Sequence, residues 1–261
     1  MEREFDPQSH PVNAPGQLAD SFNPPQDGFA WDSAAPVISV PMLVLLMLLP
    51  WLWVSVGLLV IGDYRLTILV YELVGCALPA YLYGVRHAPF LPLRCNWLWV
   101  LGVAVALGVV IITVYFASNG FAMDWSRFHR QALNTRLSVN PSFWVFSAVI
   151  GLVNPFLEEA FWRGLIYRGW KAHVGTNAAR WISSFFFGAW HWVVLQHYCD
   201  PIWAVVLTSL VMVGGLTFCM LYERTQTLGA AVLLHGWGAD FPMIFVVYDC
   251  VMHHSRFVSG V

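Results

Sequence analysis

Residues 142–170 read SFWVFSAVIGLVNPFLEEAFWRGLIYRGW, an apolar stretch with Glu158, Glu159 and Arg163 in its interior. A bilayer core of about 30 Å takes roughly 20 apolar residues in a helix, and this stretch is long enough. Six more runs of the same character flank it. With it they occupy 37–61, 66–85, 97–117, 142–167, 181–197, 202–222 and 228–252, and they predict an all-α, polytopic bundle of about seven spans. Pro41 and Pro50 predict a kink or tilt in the first span. Trp97, Trp99, Trp181 and Trp203 stand near span ends, where interfacial anchors belong.

Composition leads to the same class. Of 261 residues, 58% are hydrophobic and 11% charged, against about 25% charged in an average soluble domain. So few charges cannot cover a water-facing surface, which makes the lipid bilayer the outer solvent. A net charge of −2 argues against a nucleic-acid partner. Cys76, Cys95, Cys199, Cys219 and Cys250 show no CxxC spacing, and Cys76, Cys219 and Cys250 lie in apolar runs, so they read as small apolar fillers. Residues 1–35 are polar and proline-rich, without an apolar run, and read as a disordered tail. Residues 36–141 hold the first spans and a connecting segment, 118–141, which reads either as an interfacial amphipathic helix or as a plain connecting loop. The last span closes at 252, before a C-terminal tail of 253–261. With the N-terminus inside, seven basic residues lie on the inner segments and five on the outer, which favours a cytoplasmic N-terminus.

The interior charges of the fourth span ask for compensation. Each costs about 2.5–3.5 kcal/mol near mid-bilayer, and three approach about 10 kcal/mol, the stability of a whole domain. Glu159 and Arg163 are four apart and share a helix face, so they can pair. Glu158 is turned about 100° away, toward other helices. Pro155 removes a backbone donor and frees the Gly151 carbonyl, which only protein or a wet cavity can receive at this depth. Counted from Arg168, Glu158 lies roughly 15 Å into the membrane, and His191 and His235, counted from Arg180 and Arg224, lie roughly 16 Å in from the same side. Three ionisable residues on three spans thus share one depth.

Glu158-Glu159-x-x-x-Arg163 in one span, Phe187-x-x-x-His191 in the next, and His235 after the turn RTQTLGAAVLL resemble the motifs of the CPBP (CAAX-protease and bacteriocin-processing, Abi) family of intramembrane glutamic-type proteases. The likeness covers about residues 142–245 and would make 142–252 the catalytic core. It implies an endopeptidase whose Glu158 activates water, with His191 positioning that water, His235 donating to the oxyanion, and Glu159 and Arg163 holding Glu158 in place. It also implies a membrane-anchored protein or peptide as substrate and no metal cofactor. One position departs from the pattern: four residues after His235 stands Ala239 instead of an amide. On an α-helix the neighbouring Asp240 is rotated away and does not simply replace it, whereas Asn154, four residues before Glu158, is a candidate donor.

Two other chemistries fit the same residues. Zinc bound by Glu158, His191 and His235 would keep an open position for water, although no HExxH helix is present. A non-catalytic carrier or binding protein is the third reading, since buried Glu, His and Arg also build proton relays.

Overall fold

The computed structural model describes residues 38–83, 90, 96–117, 125–138 and 141–258. The expected disordered tail at 1–35 lies outside them, as does Cys95. Every element among the described residues is helical. We label them α1 (Val40–Ile61), α2 (Tyr64–Leu82), α3 (Trp97–Ala117), α4 (Trp125–Asn134), α5 (141–174), α6 (176–198), α7 (Pro201–Thr225) and α8 (228–258).

Among the described residues six helical runs are long and apolar enough to cross a bilayer, and one of them, Phe143–Tyr198, has 56 residues. At 1.5 Å per residue a continuous helix of that length would reach about 84 Å, nearly three bilayer cores. It does not continue: Gly175, at φ 77° and ψ 172°, takes a backbone conformation that a side chain would oppose, and the run divides there into α5 and α6. The two legs fold back on each other, since the Ser183 hydroxyl donates to the Trp162 carbonyl at 3.2 Å. The expected count of about seven membrane legs follows from this break.

Short capped turns join α1 to α2, α6 to α7 and α7 to α8. Asp63 accepts from the backbone N–H of Arg65 and Leu66 to start α2, Asp200 accepts from Ile202 before the Pro201 that opens α7, and Thr227 accepts from Gly229 to start α8. α1 runs on as helix through Pro50. α8 extends to Val258, beyond the expected end of the last span at 252, so the predicted tail begins as helix. Of the two readings of 118–141 the described part, α4, is a helix: Phe128 and Ala132 pack on Val246, Cys250 and Val251, while Leu133 on its other side is 70% exposed.

Burial is distributed as lipid requires. Leu98, Val60 and Ile202 on the periphery are 82%, 78% and 74% exposed, whereas Phe161, Trp162, Arg163, Ile166 and Tyr167 on α5 are fully buried. The charged stretch is therefore the centre of the bundle. The Gly151 carbonyl freed by Pro155 faces α8, which passes so close that a Cβ on Gly236 would stand 3.1 Å from that oxygen and 3.0 Å from the Pro155 ring.

Candidate active site

Three helices widen into π-turns at the centre of the bundle: α2 over Tyr71–Ala77, α5 over Ala160–Tyr167 and α8 over Gly236–Asp240. Such turns bond each carbonyl to the fifth residue on and re-aim side chains, often at functional sites. Here they surround one buried polar cluster.

Glu159 and Arg163 pair as their spacing predicts, Nη1 to Oε1 at 2.9 Å, with neither side chain exposed. Arg163 also donates from Nη2 to the Gly215 carbonyl on α7 at 3.2 Å, and its guanidinium lies 4.5 Å from the Phe187 ring centre and 4.9 Å from that of Phe218. These contacts give the buried cation a counter-ion, an acceptor and two aromatic faces.

His235 is held from three sides. Its Nδ1 is 2.9 Å from Glu159 Oε1, while Nε2 is 3.5 Å from Glu158 Oε2 and 3.4 Å from Asp240 Oδ1. Its ring stacks on Phe218 and meets Phe187 edge-on. Glu158, 1% exposed, accepts a hydrogen bond at Oε1 from the Tyr71 hydroxyl of α2.

Asp240 does reach the face of His235. The α-helical rotation that would turn it away does not apply, because the Phe241 N–H bonds five residues back to the Gly236 carbonyl. In this wider turn the fifth residue takes the place of the fourth. Asp240 Oδ2 in turn accepts from Asn154 Nδ2 at 2.9 Å, so Asn154 joins the site through Asp240.

His191 sits at the edge of the cluster. Its Nδ1 is 2.7 Å from the Phe187 carbonyl. A carbonyl only accepts, so Nδ1 carries the hydrogen and Nε2 of the neutral ring offers a lone pair. Among the described residues no hydrogen bond links His191 to Glu158; its ring packs on Trp190, which touches the Tyr71 ring. Among the described residues no group of three or more His, Cys, Asp or Glu side chains is placed to hold a metal ion.

Two site residues lie where no motif was read. Tyr71 and Glu72 both belong to α2; Tyr71 is fully buried and Glu72 is 7% exposed. The signal for Glu72 was in the sequence: an ionisable residue within the apolar run LTILVYELVGCALPA, the same anomaly that marks Glu158.

The family model for Rce1-like proteins, described as type II CAAX prenyl endopeptidase Rce1-like, matches residues 140–238. The match spans Glu158, Glu159, Arg163, Phe187, His191 and His235, and stops just before Ala239 and Asp240. No curated protein and no solved structure matches the chain. Over residues 140–238 this multi-pass membrane protein is thus similar to the type II CAAX prenyl endopeptidases of the Rce1-like family.

Proposed function

We propose that the chain hydrolyses a peptide bond in a membrane-anchored protein or peptide, using water activated by Glu158 and no bound metal. The observation that carries this reading is the setting of Glu158, buried at the centre of the bundle between the Tyr71 hydroxyl and the His235 ring. A base there works in a water-poor site where its strength and aim are set by fixed neighbours. His191, with its Nε2 lone pair available, orients the water. His235, braced by Glu159 and Asp240, stabilises the oxyanion.

The missing amide at Ala239 has a substitute in this scheme. A carboxamide carries two N–H bonds, and Asn154 uses one of them on Asp240. The other completes the oxyanion site beside His235. Ala239 also favours a second reading, a protein that binds its peptide without cutting it.

Cleavage of a membrane-peptide library by purified wild type and Glu158→Gln, with and without a zinc chelator, separates these. Cleavage that Glu158→Gln abolishes and the chelator leaves intact supports the proposal. Chelator-sensitive cleavage with stoichiometric zinc replaces it with the metal mechanism. Peptide retention without cleavage by a folded wild type establishes the binding reading.

A further inference from the structure

Glu72 stands on α2, outside the matched segment and outside every motif, in the π-turn that packs against the stretch of α5 ending in Glu158 and Glu159. Its neighbours in electrostatic range are Glu158 from α5, Asp240 and His235 from α8, and Cys76 and Tyr71 on its own helix. The preceding residue, Tyr71, is the one that holds Glu158. Glu72 is buried, and neither of its carboxylate oxygens has a hydrogen-bond partner among the described residues.

The charge balance of the cluster sets it apart. Glu72, Glu158, Glu159 and Asp240 confront two cationic side chains, Arg163 and His235. Glu159 takes Arg163 and one nitrogen of His235, and Asp240 takes Asn154 and approaches the other nitrogen. Glu158 has Tyr71. Among the described residues no donor or cation is paired with Glu72, and an ionised carboxylate without donor or cation is not tolerated in an apolar interior. Glu72 therefore keeps its proton, while Glu158 is the group read as the base. Two carboxyl groups placed close together and held in opposite protonation states divide the work of acid and base between them.

Resting on the reading of Glu158 as base, we infer that Glu72 is the general acid of this site, the group that protonates the departing amine. Glu158 removes a proton from water as the water oxygen bonds to the scissile carbonyl carbon. The C–N bond then breaks with its electron pair on nitrogen, and that nitrogen takes the proton of Glu72. The proton gained by Glu158 passes to the Glu72 carboxylate, which restores both groups; the net reaction is peptide plus water to acid plus amine.

The test compares the library peptide that wild type cleaves fastest with a p-nitrophenyl ester of its acyl half, whose leaving group departs without a proton. Glu72→Gln keeps the size and neutrality of the acid and lacks only the transferable proton. Peptide turnover is expected to fall by about 10²–10⁴-fold with KM little changed, while ester turnover stays near wild type. Equal losses on both substrates, or none on either, overturn the assignment. Wild type gives an independent reading should the variant not fold: the amide-to-ester rate ratio falls as pH rises and Glu72 ionises, and a flat ratio overturns the proposal. Glu158→Gln tells the two claims apart, because a missing base stops ester and amide alike. Wild-type rates in Glu158→Gln remove the base assignment, and the Glu72 comparison still reads out by itself.

Discussion

His235 and Asp240, five positions apart on α8, face each other with Nε2 and Oδ1 at 3.4 Å because the helix between them is a π-turn. That geometry changes which residue fills the gap left by Ala239. Restoring an amide at 239 is expected to do little, since the widened turn gives the face to Asp240. Asn154→Ala, in contrast, should lower kcat by about 10²–10³-fold, the usual cost of an oxyanion donor. Steady-state kinetics of Ala239→Asn and Asn154→Ala check this, and a gain from the former with no loss from the latter would refute it.

The hydroxyl of Tyr71 donates to Glu158 from a helix outside the matched segment. Hydrogen bonds to charged groups contribute about 1.5–3 kcal/mol, or roughly 10–150-fold in kcat/KM if this one is needed for the reacting geometry. Tyr71→Phe is expected to show that loss while keeping the wild-type melting temperature in detergent within a few degrees.

Arg163 and Glu159 form a fully buried pair, and removing one partner leaves an uncompensated charge. Arg163→Met is expected to destabilise the protein by about 3–5 kcal/mol, and adding Glu159→Gln should recover part of that. A double-mutant cycle by thermal or denaturant unfolding measures the coupling; strictly additive losses would show that the pair does not act as one.

Gly215 accepts from Arg163 through its carbonyl, and a Cβ there would meet the Ser184 Cβ at 3.1 Å and Phe187 Cδ1 at 3.2 Å. Gly215→Ala should press α7 away from α6, costing about 1–3 kcal/mol and moving the acceptor of the arginine. Stability and cleavage rate are expected to fall together.

Cys199, in the turn between α6 and α7, is buried, and burial pushes its thiol up to about 11, with the Cys250 sulfur adding to the shift. A thiol above its ordinary value stays protonated, and only the thiolate attacks alkylating reagents. Position 199 should therefore resist maleimide at pH 7–8 in mild detergent and react once SDS unfolds the chain, as mass spectrometry of the tryptic peptide would read.

The spans were legible because lipid imposes a length and a composition that few other environments do, and Glu158, Glu159, Arg163 and His235 were legible because charge in such a run has a cost. The pairing of Glu159 with Arg163 followed from their spacing alone. The meeting of Asp240 with His235 did not: apolar periodicity assumes an α-helix, and nothing in Gly-Trp-Gly-Ala-Asp announces a π-turn. Tyr71 escaped for another reason, since a tyrosine in an apolar helix has an ordinary explanation until its hydroxyl is seen on a carboxylate. Glu72 was open to the same reasoning as Glu158, and only the lack of a flanking motif hid it.

The break at Gly175 has a consequence for how the chain is built. Because α5 and α6 are one stretch folded in two, Arg163 meets both Glu159 and Phe187 within a single local hairpin, before any later helix is required. Glu158 has no such local partner: Tyr71 comes from 87 residues upstream, and His235, on α8, follows α7. A nascent chain halted after α6 would hold an arginine already paired with Glu159 and set on Phe187, lacking only its α7 contacts, beside a carboxylate whose histidine arrives with the last helix.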